Sequence, residues 1–196
     1  MDTRKKPSSD TKLVARHAIS TFGAPPSVWR FTCEREGFSL DIGGCADRPA
    51  AGLVSYTTIG LSDCGVVTGP APPAHVELAA TCAADWPLFP QILAAAAMLL
   101  VRRQKEVKPG DVIRDVVAEF YPRASVSHLY LARPFLWGQR LQALRGEAKT
   151  ITWLLAVPVA SGELPYFETR GDDGLEQLYR QRRIDMYSLG RGTWLE

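Results

Sequence analysis

The residues best suited to covalent chemistry are Cys64, which follows Asp63, and the imidazoles of His75 and His128. A thiol or a carboxylate combined with one of these bases would make a hydrolase-like centre. That requires nucleophile, base and orienting acid to lie within about 3 Å of one another. Sequence spacing supplies no such closeness, and neighbours along a strand point to opposite faces. A small buried thiol near a turn is the simpler reading of Cys64, so no catalytic residue is assigned. Metal chemistry is poorly served as well. His75 and Glu77 share a strand face, but no CxxC or HxxxH element supplies further ligands. Asp172–Asp173 lacks the alternating oxygens of a calcium loop and suits a helix cap. Gly43–Gly44 stands outside any GxGxxG or GxxxxGK[ST] context, so no phosphate cradle and no cofactor is expected.

What remains is surface chemistry. Tyr166, Glu168, Tyr179, Arg180, Arg182 and Arg183 form an aromatic and charged series late in the chain, of the types enriched at protein interfaces. These six are the candidate protein-binding residues. Phe167, Leu175, Leu178 and Trp153, by contrast, are expected to pack inward.

The elements that must position these groups follow from pattern. The chain has 196 residues, 46% hydrophobic and 22% charged, which fits a globular domain able to bury a sizeable core. Its formal charge is only +2, too even for a general nucleic-acid binder. The first thirty residues lack the long apolar core of a signal peptide, and the richest apolar run, Ile92 to Val101, is too short for a membrane span, so a soluble cytoplasmic protein is expected. There the widely spaced Cys33, Cys45, Cys64 and Cys82 stay reduced.

Residues 1–10 read as a flexible tail and 11–196 as one domain. A helix runs from Asp10 or Thr11 to about Thr21, closed by Gly23 and Pro25–Pro26. Strands are expected at Val28–Cys33, Phe38–Ile42, Leu53–Leu61 and His75–Thr81, with Gly43–Gly44 as a turn. In the last of these, alternation puts Glu77 on the less apolar face, where it need not be buried. Gln91–Arg103 is a helix apolar nearly all round, suited to lying across a sheet. Val112–Phe120 fits a short helix by spacing and a strand by composition. Leu129–Leu131 and Phe135–Trp137 read as short strands or an edge able to accept an extended partner. Lys149–Val157 is a central strand, and Glu163–Thr169 and Asp173–Arg183 are helices separated by Gly171. Strands and helices in this order specify an α+β fold, with a largely antiparallel or mixed central sheet packed with helices.

Three stretches then carry a resemblance. The first is Tyr56-Thr57-Thr58-Ile59-Gly60-Leu61-Ser62, followed by Val76-Glu77-Leu78. The second is the helix entered at Trp86-Pro87. The third is Ile151-Thr152-Trp153-Leu154-Leu155-Ala156-Val157-Pro158-Val159, continued by Glu163, Tyr166-Phe167, Gly171 through Tyr179, and Ile184-Asp185-Met186. In order and spacing, from about Phe31 to Leu189, they resemble the Suppressor-of-fused-like domain family. The resemblance implies an α+β recognition module without enzymatic chemistry. It also implies a protein partner, which for a bacterial single-domain member would be a toxin that the protein neutralises as an immunity protein. A structural component of a protein assembly is the other reading. No room is expected in this chain for the second domain of the animal regulator, which weakens any transfer of that protein's binding mode.

Overall fold

Ser8 accepts a hydrogen bond from the N–H of Thr11 at 2.9 Å and so starts helix α1 (Ser9–Phe22), a turn's edge earlier than Asp10 or Thr11. Val14, Ala18, Thr21 and Phe22 form its buried stripe, and Gly23, at φ 74°, closes it with an N–H to the Ile19 carbonyl. The computed structural model describes residues 7–23, 26–34, 36–182 and 185–192, without the side chains of residues 172, 176, 179, 180 and 182.

The nine strands are β1 (Ser27–Cys33), β2 (Phe38–Ala46), β3 (Leu53–Ile59), β4 (Val67–Thr68), β5 (Ala74–Ala83), β6 (Val112–Ile113), β7 (His128–Ala132), β8 (Leu144–Arg145) and β9 (Thr150–Val159). They form one sheet in the order β1-β2-β3-β5-β9-β7-β6, with β4 against the start of β5 and β8 against the start of β9. Every pairing is antiparallel except β5 with β9, where His75 to Ala79 run parallel to Ile151 to Leu155. The connection between these two carries α2 (Phe89–Arg103), as a parallel crossover requires.

Both sheet faces are covered, and β9 explains how. Ile151, Trp153, Leu155, Val157 and Val159 enter the core shared with α1 and α3 (Leu164–Arg182). Leu154 and Ala156 enter the opposite core under α2, with Ile92, Leu93, Ala96, Ala97 and Leu100. A strand buried on both sides reads as a continuous apolar run, which is what Ile151 to Val159 is. Pro90 stands in the first turn of α2, where its missing N–H removes no hydrogen bond, and Arg102 and Arg103 occupy the last turn. Phe167, Leu175, Leu178 and Trp153 are buried, in agreement with their packing role.

Several expectations need correction. Gly43 and Gly44 lie inside β2, paired to Val28 and Ser27 on one side and to Thr57 and Tyr56 on the other. A Cβ on Gly44 would stand 2.7 Å from the Trp29 ring, so the glycine admits that ring instead of making a turn. Glu77 is fully buried, because the turn from Gly60 to Ser62 closes over its carboxylate on the face expected to be wetter. Val112–Phe120 contributes only the two residues of β6. Phe135–Trp137 forms no strand: beyond Pro134 the chain turns, and the Trp137 ring packs 5.2 Å from Phe22. Finally, β7 is not an edge. β6 covers its outer side at Leu129 and Tyr130, and Leu131 exchanges backbone hydrogen bonds with Gly110 and Asp111.

Candidate functional site

Cys64, His75 and His128 are not assembled into a catalytic group. His75 and His128 lie against opposite ends of β9, opposite Ile151 and Val159. Eight residues of strand separate those positions, roughly 26 Å. Cys64 and His75 are near one turn but engage different backbone carbonyls. The thiol donates to the Gly60 carbonyl at 3.5 Å, while His75 Nδ1 meets the Ser62 carbonyl at 2.9 Å. Burial, with Glu77 and Asp63 adding negative charge nearby, pushes the Cys64 thiol up to about 11, so the thiolate is scarce at neutral pH. His128 is committed as well. Its Nδ1 accepts the Asp115 N–H at 2.8 Å, which leaves the proton on Nε2, 2.9 Å from Ser161 Oγ. Burial holds its pKa below the ordinary histidine range. All four cysteines are free thiols, and among the described residues no group of three or more His, Cys, Asp or Glu could hold a metal ion.

Of the described part of the late aromatic and charged series, Glu168 lines a groove and Tyr166 does not. α3 is interrupted at Gly171, whose φ of 61° and ψ of −162° break the helix between the two segments expected from the sequence. Beside the break opens a cleft of about 440 Å³, between α3 and the turn that leads into β6. Phe167 and Tyr130 form its aromatic floor, with ring centroids 5.0 Å apart. Glu168, Arg170, Asp173 and Arg133 supply both signs of charge around it. Glu168 is exposed and 3.7 Å from Arg114, a surface ion pair of small energetic weight. Tyr166 is half-buried, packs against the core that includes Phe167 and stands edge-on to that ring at 5.9 Å. The backbones of Tyr179, Arg180 and Arg182 belong to α3, but their side chains, and Arg183 as a whole, lie outside the described residues. An open groove with an aromatic floor and mixed charge suits side chains of another protein better than a reaction that must exclude water.

The structure also brings together two groups that pattern reading missed. Glu77, fully buried, accepts hydrogen bonds from Thr58 Oγ1, Ser62 Oγ and the N–H groups of Gly60, Leu61 and Ser62. Burial raises its pKa, and these donors oppose the rise. Glu163, also fully buried, forms a fork-to-fork pair with Arg191 and accepts the Ala160 N–H at 2.9 Å. The signal for the first was an acid inside an apolar strand, preceded by the donor-rich run Thr57 to Ser62. The second pair spans 28 residues, and no local pattern marks it. Both are architectural.

With this geometry in place, comparison with known proteins becomes informative. A family model described as Suppressor of fused protein (SUFU) matches residues 37–192. The Immunity protein YqcF of Bacillus subtilis (strain 168) is 29% identical over 187 residues, which cover 94% of this chain and 96% of that protein. A putative SUFU homolog from Neisseria gonorrhoeae FA 1090 superposes with a TM-score of 0.66 at 16% identity, covering 96% of this chain and 98% of that one. Drosophila Suppressor of Fused gives a TM-score of 0.67 at 15% identity, with 98% of this chain matching 53% of that longer protein. A chain of the Sufu-Fu complex gives 0.69 at 16% identity over 96% of this chain and 93% of that one. At such identities the structural matches establish a common α+β fold. Among the described residues no helix is long and apolar enough to cross a membrane.

Proposed function

The chain belongs to the Suppressor of fused protein (SUFU) family, and on that premise we propose that it is a non-enzymatic protein-binding module that neutralises a toxin as an immunity protein. One observation carries this reading. The relative named as an immunity protein is matched end to end, over 96% of its length, so the whole protein and not a shared fragment is alike. Supporting it, Cys64, His75 and His128 are held in separate hydrogen bonds. The binding residues in this reading are Glu168 at the groove and Tyr166 on the same helix, together with Tyr179, Arg180, Arg182 and Arg183, which the sequence offers by type. Four free thiols fit work in the reducing cytoplasm.

Native purification under gentle conditions, followed by mass spectrometry, tests the proposal. A stoichiometric complex with a toxin is expected, and the purified chain should suppress that toxin in a growth assay without turnover. Recovery of the unbound chain alone, under conditions that preserve neighbouring complexes, would sink it. Tyr166→Ala and Glu168→Lys should weaken the complex at least tenfold, while a role confined to folding would lower thermal stability instead.

A further inference from the structure

The two ends of the sheet are built unlike one another. At one end β6 has only two residues and follows Lys108-Pro109-Gly110-Asp111, a segment of the charged, proline-containing kind that discourages pairing. At the other end β1 pairs with β2 through seven consecutive residues, from Ser27 opposite Gly44 to Cys33 opposite Phe38, without a bulge. No described segment pairs with its outer side. β1 contains no proline and no lysine. Its single charge, Arg30, is held by both carboxylate oxygens of Asp41 at 2.7 and 2.8 Å, so it does not guard the edge. Val28 is 55% exposed and Trp29 38%. The Trp29 ring leans inward over Gly44, toward Tyr56, and leaves the outer backbone accessible.

The geometry points to β1 as the docking edge for β1 of a second copy of this chain, paired antiparallel about a two-fold axis to continue the sheet across two molecules. The argument for that occupant is self-complementarity. A two-fold axis at Arg30 keeps residues of the same face opposite one another and pairs all seven. Trp29 then meets the partner's Phe31, Val28 meets the partner's Thr32, and Ser27 meets the partner's Cys33, in the aromatic and β-branched combinations that stabilise neighbouring strands. The two Arg30 side chains meet at the axis, where like charge opposes pairing; each stays held by its own Asp41, which offsets part of the repulsion in a row that runs negative, positive, positive, negative. A single strand pair buries less than a standard interface, so the dimer should be weak, with a dissociation constant on the order of 10–100 µM.

Sedimentation velocity of the full chain over a concentration series tests this. A reversible monomer–dimer equilibrium is expected, while a chain that stays monomeric to ~500 µM, well above the expected constant, overturns the proposal. Val28→Lys with Thr32→Lys, both at exposed positions, puts like charges opposite each other across the axis and should weaken association at least tenfold; Val28→Glu with Thr32→Glu should do the same. Mixing the two variants should restore a heterodimer. Failure of the mixture to pair, or self-association unmoved by the substitutions, rules out the assigned strand and register. Hydrogen exchange of the unaltered chain gives an independent readout. β1 amides should gain protection with concentration while β6 amides do not. Protection of β1 only on binding a different protein would overturn the self-pairing in favour of a heterologous strand.

Discussion

Glu77 and Glu163 are both sealed from solvent, yet they are made tolerable in opposite ways. Glu77 is surrounded by neutral donors drawn from residues 58 to 62, so it fixes the turn that leaves β3. Glu163 is met by a guanidinium from the far end of the described chain, and Arg191 also donates to the Pro158 carbonyl at 3.2 Å. That pair clasps the closing segment, whose Tyr187 and Leu189 carbonyls accept the N–H groups of Ala83 and Ser125. A neutral cradle therefore shapes backbone locally, whereas an ion pair ties distant parts together. The difference should be visible in what each loss leaves behind.

The largest effect is expected at the clasp. Arg191→Ala leaves Glu163 buried without its counter-charge, and should lower unfolding free energy by about 3–5 kcal/mol in a denaturant titration. Replacing both partners, Arg191→Leu with Glu163→Leu, should be less harmful than either single change, since no uncompensated charge remains. A single-substitution loss below about 1 kcal/mol would mean that the closing segment is held by its backbone bonds alone. The next effect belongs to the cradle. Glu77→Gln keeps the shape but turns an amide NH2 toward donors that need an acceptor, and should cost about 1–3 kcal/mol. If it costs as much as Arg191→Ala, the contrast between cradle and clasp fails.

The two carboxylates also mark where sequence reading succeeded and where it stopped. The α+β class, α2 across the sheet, β9 near its centre and the helix break at Gly171 were legible, because each rests on periodicity or on a residue with special backbone freedom. Glu77 was misplaced because alternation identifies a face but not what covers it, and the covering turn at Gly60 to Ser62 belongs to the preceding strand's exit. An edge stayed open as one reading of β7 because the two residues of β6 are too few to carry a period. Trp153 was expected inside, but the bond from its indole N–H to Thr57 Oγ1, at 3.0 Å, required the register. The candidate contact residues were legible as types only. Only Glu168 among them lines the groove beside the Gly171 break, a placement that depends on the fold and not on any local pattern.

A smaller effect should come from His128, a third buried titratable group, which tests whether a neutral cradle can also hold a base. Its folded pKa is lowered by burial, so the neutral imidazole is the form that folding favours. The stability this contributes is present above the unfolded value near 6.5 and is lost as pH falls through the folded one. Protonating Nδ1 also sets a second donor against the Asp115 N–H, although the Asp115 carboxylate, 3.4 Å away, softens the loss. Thermal midpoints of the unaltered chain should therefore decline below about pH 6.5, and His128→Asn should flatten that decline. An unchanged slope would remove His128 from the set.

Glu77 should respond to pH with the opposite sign, and this is the finest test of the comparison. Because burial raises its folded pKa, the protonated carboxyl is the form that folding favours. Its titration then contributes stability that is complete below the unfolded value, near 4.3, and is lost as pH rises through the folded one. The stability difference between the unaltered chain and Glu77→Gln should thus be greatest at the acid end and shrink toward neutrality. Chemical denaturation of both proteins at a series of pH values would measure it, with His128 cancelling because both carry it. A difference that grows with pH would mean that the five donors outweigh burial and hold the carboxylate ionised. Glu77 would then be an anion in a neutral cradle, and its contrast with Glu163 would lie only in where the compensating groups come from along the chain.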